Sequence, residues 1–208
     1  MEVVGILLAA GLGKRFDPSA ERLKLLEACA VGAEGAVPIA AAAARNLRAA
    51  LGYVIAVVRA QSDAKQLQLR ALLAEQGCTV LPCEQAHEGM GASIACAIRA
   101  SAQAQGWVIA LADMPQVQQQ TIVAVRKAIA DGATTAAPFY RGQRGHPVGF
   151  GAACGPELAA LQGDRGARDV LQRHPPVRID VEDPGVLCDI DEPADLAQAR
   201  TGAGDGIS

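Results

Sequence analysis

The sequence predicts an α/β fold: a mostly parallel sheet flanked by helices on both faces. Three observations carry this expectation. The apolar runs at residues 3–8, 53–58, 78–81 and 107–111 are continuous rather than alternating, which marks strands buried on both faces. Between them lie stretches of helical period at 38–50, 63–76, 92–103 and 119–130. Half of the 208 residues are hydrophobic yet only 3% are aromatic, a composition that suits alanine-lined helices packed on a sheet and argues against an aromatic-rich β-sandwich. Crossovers in such a β–α alternation are expected to be right-handed.

Past residue 133 the rhythm changes. Residues 133–138 read as a strand, followed by a polar glycine-rich stretch from Tyr140 to Pro147 and a short apolar run at 148–150. Helices are expected at 156–161 and 167–173, and short strands at 177–181 and 186–190. Pro193 suits the first position of a last helix running to Arg200. With no internal repeat and no linker, residues 1–200 read as one domain, followed by a small polar tail at 201–208.

Net charge is −3, so no global positive field recruits nucleic acid or an anionic membrane; any phosphate chemistry needs local cations. The opening segment is broken by glycines and has no positive flank, and no later run reaches the length of a membrane span, so neither a signal peptide nor a transmembrane helix is expected. Cys29, Cys78, Cys83, Cys96, Cys154 and Cys188 form no CxxC pair or zinc spacing and read as reduced thiols of a cytoplasmic protein.

In open parallel sheets ligands bind beyond the carboxyl ends of the strands. Three segments should gather there. The first carries Gly11 and Gly13, whose bare backbone can approach an anion, with Lys14, Arg15, Arg22 and Lys24. The second is Asp113-Met114-Pro115, and the third Asp189-Ile190-Asp191-Glu192-Pro193. Donors and cations facing carboxylates make a site for a polyphosphate and its divalent ion. Each piece has a plainer reading: a tight turn for the glycines, a helix N-cap for Asp113 or Asp191. Phe16 stands where a dinucleotide fingerprint needs its third glycine, and the Lys14-Arg15 spacing fails a P-loop, so the dehydrogenase and ATPase readings lose ground.

The motifs in order are more specific than any one alone. Leu7-Leu8-Ala9-Ala10-Gly11-Leu12-Gly13-Lys14-Arg15-Phe16 with Lys24, then Gly89-Met90-Gly91-Ala92-Ser93-Ile94, Ala112-Asp113-Met114-Pro115, Gly145-His146-Pro147-Val148-Gly149-Phe150, Gly163-Asp164-Arg165-Gly166-Ala167-Arg168 and Asp189-Ile190-Asp191-Glu192-Pro193-Ala194-Asp195-Leu196 together resemble molybdenum cofactor cytidylyltransferases and their close relatives in the nucleotidyltransferase superfamily. The resemblance spans residues 3 to 199. It implies a Rossmann-like sheet of the nucleotide-diphospho-sugar transferase type. It also implies Mg²⁺-dependent transfer of CMP from CTP to the phosphate of molybdopterin, with release of pyrophosphate; Mn²⁺ is an alternative ion.

On that resemblance Leu8, Ala9, Ala10, Gly11, Gly13, Lys24, Gly89 and Ser93 bind the nucleotide. Lys24, Arg15 and Asp113 are catalytic, and Asp113 and Asp191 hold the metal, with Asp189 in reserve. His146, Pro147, Asp164 and Arg168 receive the acceptor, so the resemblance implies a nucleotide-binding half of about 1–135 and an acceptor-binding half of about 136–200. Contact with a recipient molybdoenzyme is implied as well. Ala10 favours the cytidylyl over the guanylyl relatives. The loop from Arg15 to Lys24 is longer than in most relatives and has Asp17 where glycine is usual, which leaves Arg22 open as the phosphate cation in place of Lys24. His146 could equally orient its own loop, and Arg168 and Asp169 could be a solvated helix-face pair. Other readings stay open: another nucleoside triphosphate, a sugar-phosphate acceptor, or a carrier that binds the pterin without catalysis.

Overall fold

The computed structural model describes residues 2–11, 13, 15–19, 21–30 and 35–201. Leu12 and Lys14 of the first motif and the tail beyond Thr201 lie outside the described residues. The chain runs β1 (Val3–Leu8), β2 (Ala28–Ala30), β3 (Ala36–Pro38), α1 (Ile39–Ala50), β4 (Val54–Arg59), α2 (Ala64–Glu75), β5 (Thr79–Cys83), α3 (Met90–Ala100), β6 (Gly106–Leu111) and α4 (Gln119–Ala130). It continues through β7 (Thr135–Tyr140), β8 (Gln143–Arg144), β9 (Val148–Gly151), α5 (Gly155–Ala159), α6 (Arg168–Arg173), β10 (Val177–Asp180) and α7 (Pro193–Thr201).

The main sheet has the order β10-β7-β9-β6-β1-β4-β5, with β8 hanging from β7. β5, β4, β1 and β6 are mutually parallel, as are β7 and β10, whereas β9 runs antiparallel to both β6 and β7. β1 shows why the apolar runs are unbroken. Val3 and Leu7 join a core under α1, α2 and α4, while Val4 and Ile6 join a second core under α3, α5 and α6. Both faces of the sheet are therefore covered. Five successive alanines of α1, Ala40 to Ala44, are buried, so their small side chains let the helix sit close to its neighbours.

Two expectations need correction. Residues 186–190 do not form a strand. Asp183-Pro184-Gly185 opens a 3₁₀ turn, Pro184–Leu187, in which Pro184 cannot donate and the Asp183 carboxylate accepts from the Gly185 N–H at 3.0 Å. The β2–β3 hairpin was not expected either, being three alanine-rich residues a side with no alternation to read.

Asp183 also holds α4. Its other carboxylate oxygen accepts from Gln118 N–H at 2.9 Å and the Thr121 hydroxyl at 2.7 Å, and the side chain is 1% exposed. It thus ties the start of α4 to a segment 65 residues further along the chain. Asp183→Ala strands these donors in the core and is expected to cost about 3 kcal/mol, a fall of roughly 10 °C in melting temperature by calorimetry.

Candidate active site

β1 and β6 lie side by side in register to their last residues, Leu8 opposite Leu111, and beyond β1 the strand order reverses. That divergence is where an open α/β sheet forms a crevice. From β1 the chain leaves as Ala9-Ala10-Gly11; from β6 it leaves as Ala112-Asp113, with Ala112 N–H bonded to Leu8 O at 3.1 Å. Gly13 turns the loop with φ +60°, and its carbonyl accepts from both Phe16 and Asp17 N–H. A third segment is stitched alongside: Ile190 N–H donates to Asp113 O at 2.9 Å, which sets Asp191 beside Asp113.

Lys24 enters between them. It starts a 3₁₀ turn anchored by buried Leu25, and it is itself only 7% exposed. Its Nζ donates to Asp113 Oδ2 at 2.8 Å and to Asp191 Oδ1 at 3.2 Å. The exposed Arg15 guanidinium contacts Asp191 Oδ2 at 2.7 Å. A buried ammonium is stable only when paired, and two carboxylates this close are stable only with a cation between them. Burial and then the Asp191 charge hold the Asp189 carboxyl above its ordinary pKa.

Asp191 is free to face Lys24 because another residue does the capping. Asp195 Oδ2 accepts from the N–H groups of Asp191 at 2.9 Å and Glu192 at 2.7 Å, the reach-back half of a capping box for α7. The acid at the third position of a proline-started helix is a signal the sequence carries. Nor is Asp113 a cap, since α4 begins only at Gln119. The unusual Asp17 closes the long loop: its carboxylate accepts from Ser19 and from Arg22 N–H, and the Ser19 hydroxyl, followed by the Arg22 N–H, lowers its pKa. Arg22 itself is committed elsewhere, forked onto Glu27 at 3.0 and 2.7 Å with its guanidinium 5.0 Å over the Phe16 ring.

A cavity of about 350 Å³ opens beside these groups. Gly11, Gly13, Lys24 and Asp113 line it from the loops after β1 and β6. His87, Gly89, Met90 and Ser93 line it from the segment after β5, Asp164 from the loop before α6, and Leu8, Leu23, Leu25 and Leu111 supply apolar wall. Gly89 and Gly91 are required by a close approach. A Cβ on Gly89 would lie 2.5 Å from Gly163 O, and one on Gly91 2.7 Å from Gln162 O, while Gly91 N–H bonds Gly163 O at 2.8 Å.

The structure thus brings Arg15, Lys24, Asp113 and Asp191 together, and gathers Leu8, Ala10, Gly11, Gly13, Gly89, Ser93 and Asp164 around one cavity. Ala9 is buried in the core instead. His146 and Pro147 border a much smaller void with Leu111 and Met114, and Arg168 is exposed at the start of α6. The four residues expected at the acceptor are therefore not one cluster; Asp164 alone of them faces the large cavity. His87 was not singled out from the sequence, because a histidine in a polar 3₁₀ turn carries no pattern.

Among the described residues no group of three or more His, Cys, Asp or Glu is placed to hold a metal by itself. Two carboxylates are what the site offers. That donor set suits a hard divalent ion such as Mg²⁺, which takes one or two carboxylates and completes its shell with water and phosphate.

The family profile described as MobA-like NTP transferase domain matches residues 5–178. The chain belongs to the MobA-like NTP transferase family. The matched span takes in Gly11, Lys24, Gly89, Asp113 and Asp164 and ends before Asp191. Within this MobA-like nucleotidyltransferase, 123 residues are 33% identical to purine catabolism protein PucB of Bacillus subtilis (strain 168), covering 57% of this chain and 59% of PucB. The chain thus spans less than two thirds of that relative's length.

Solved structures that share the fold include the following two proteins. Rv0371c from Mycobacterium tuberculosis H37Rv is 24% identical with a TM-score of 0.75 over 97% of this chain and 98% of that one, and has also been solved in complex with manganese. Molybdopterin-guanine dinucleotide biosynthesis protein A from Archaeoglobus fulgidus is 21% identical with a TM-score of 0.64, over 96% of this chain and 97% of the other. No helix among the described residues of this MobA-like protein is long and apolar enough to cross a membrane.

His146 has a pH consequence. Its half-buried ring has a buried Nδ1 with no partner, and burial, helped by Arg144 and opposed by Asp113, lowers its pKa. The unfolded chain, with a histidine pKa of about 6.5, therefore takes the proton first as pH falls. The stability present above that value is lost through the window below it. Urea unfolding from pH 8 to pH 5 is expected to show a steeper loss for the wild type than for His146→Gln.

Proposed function

We propose that this MobA-like nucleotidyltransferase transfers CMP from CTP to the phosphate of molybdopterin and releases pyrophosphate. The observation that carries the reading is the Lys24 ammonium held between Asp113 and Asp191 beside a cavity floored by the glycine loop after β1. An acceptor phosphate oxygen attacks the α-phosphorus, a new P–O bond forms, and the bond to the β-phosphate breaks, its electron pair leaving with pyrophosphate. The acceptor is already an anion, so no protein base is needed. The task is to hold anions together and to stabilise charge on the leaving group.

In this scheme the backbone amides around residues 10–13 cradle the triphosphate. Lys24 takes up the charge growing on pyrophosphate, and Arg15 grips phosphate oxygens with its fork. Asp113 and Asp191 would hold a Mg²⁺ or Mn²⁺ ion, whose chemistry is neutralisation of phosphate charge; the manganese complex of Rv0371c supports divalent metal use. Gly89 and Ser93 border the base and ribose. His146, Pro147 and Arg168 serve the acceptor, and the product passes to a recipient molybdoenzyme.

The carboxylate–lysine arrangement favours catalysis over a carrier role, since simple retention of a pterin needs no leaving-group electrophile. Asp164, expected at the acceptor, lines the same cavity as Gly11, Lys24 and Gly89. The test is pyrophosphate release with Mg²⁺, purified molybdopterin and each nucleoside triphosphate in turn. Release with CTP that stops on chelation supports the reading. Release only with a sugar 1-phosphate, or tight pterin binding without release, overturns it.

A further inference from the structure

The described polar side chains of the cavity outside Lys24 and Asp113 have a one-sided hydrogen-bonding character. Asp164 presents a carboxylate that has no hydrogen-bond or ion-pair partner among the described residues; its neighbour Arg165 is turned away onto Asp169 at 2.8 Å. His87 Nδ1 lies 2.8 Å from Glu84 O. A carbonyl can only accept, so Nδ1 carries the hydrogen, and in the neutral ring Nε2 is left as an acceptor. The Ser93 hydroxyl donates to Gly89 O at 3.3 Å, leaving its lone pairs. Among the described residues these are the polar side chains lining the cavity besides Lys24 and Asp113, and each offers an acceptor.

The backbone that carries Asp164 is held against α3. Its Cα packs against Gly89, where an added Cβ would come within 2.6 Å, and the Gly91–Gly163 hydrogen bond clamps the loop to the first turn of α3. A wall of acceptors discriminates among nucleobases by their donors. Cytosine, adenine and guanine carry an exocyclic amino group, and carboxylates accept from the cytosine amino group in direct readout. Uracil presents a carbonyl in that place, and an acceptor facing an acceptor leaves both unpaired.

We infer that the Asp164 carboxylate, seated on Gly89 beside His87 and Ser93, accepts from the exocyclic amino group of the nucleobase. It makes the protein select amino-bearing nucleoside triphosphates against UTP. This rests on the nucleotidyltransferase reading above and adds a specificity-determining residue to it.

The experiment is isothermal titration of the full-length protein with CTP, UTP and dCTP in Mg²⁺, for the wild type and Asp164→Asn, with thermal melts to show that the variant is folded. The wild type is expected to bind CTP at least about tenfold more tightly than UTP. In Asp164→Asn, whose amide can donate to the uracil carbonyl, that ratio is expected to collapse to within about threefold, with UTP binding improved. An unchanged CTP-to-UTP ratio in the variant overturns the inference. So does a change confined to the CTP-to-dCTP ratio, which would put the carboxylate on the ribose. Wild-type protein that binds CTP and UTP equally and still releases pyrophosphate defeats this inference alone; failure to bind any nucleotide defeats the underlying reading as well.

Discussion

Asp113→Asn is expected to lower kcat for pyrophosphate release about a thousandfold or more while leaving the fold intact. The substitution is isosteric and the side chain is partly exposed, so packing is conserved. What changes is charge. Asp113 supplies one of two carboxylates beside Lys24, and an amide oxygen is a far weaker partner for both an ammonium and a divalent ion. Electrostatic stabilisation is usually the largest contribution in phosphoryl chemistry, and loss of a single preorganised group costs about 100- to 1000-fold; loss of a metal-binding charge falls at or beyond the upper end. The measurement is steady-state pyrophosphate release across a Mg²⁺ titration, alongside a thermal melt. A kcat within threefold of wild type at saturating Mg²⁺ would remove Asp113 from the catalytic centre.

What the sequence discloses follows from which forces leave a local trace. β1, β4 and β6 are legible because burial on both faces demands unbroken apolar runs, and α4 matches its expected bounds because its buried positions, Ile122, Val125 and Ile129, recur at helical spacing. Strand direction leaves no such trace: the run at 148–150 reads as a strand, but nothing in it says that β9 lies antiparallel between β6 and β7. The 3₁₀ turn at Pro184–Leu187 has a local signal in Asp183-Pro184-Gly185, whereas the apolar residues that follow read as a strand.

The site divides the same way. Gly11, Asp113 and Asp191 are each ambiguous locally, and only the ordered motifs single them out; that Ile190 N–H reaches Asp113 O is a tertiary event across 77 residues that no spacing encodes. Asp183 is the converse case. It is nearly inaccessible and holds three donors, yet on paper it is one more aspartate before a proline.

Lys24→Ala is expected to reduce kcat by about 100- to 1000-fold, and Arg22→Ala by less than threefold. The sequence leaves the two cations in competition, because the loop from Arg15 is long enough to present either. Their surroundings separate them. Arg22 is exposed, bidentate on Glu27 and stacked on Phe16, so its removal costs only a surface pair. Lys24 is buried with its ammonium on both site carboxylates, and there a cation acts in a low dielectric where charge developing on a leaving group is best stabilised.

Removing Lys24 leaves Asp113 without its buried ammonium partner, while Asp191 keeps only the exposed Arg15 guanidinium at 2.7 Å. Lys24→Arg, which keeps a cation beside Asp113, should restore part of the rate that Lys24→Ala loses. Comparable losses in Arg22→Ala and Lys24→Ala would show that the loop rearranges on nucleotide binding and that the ion pair seen here is not the catalytic arrangement.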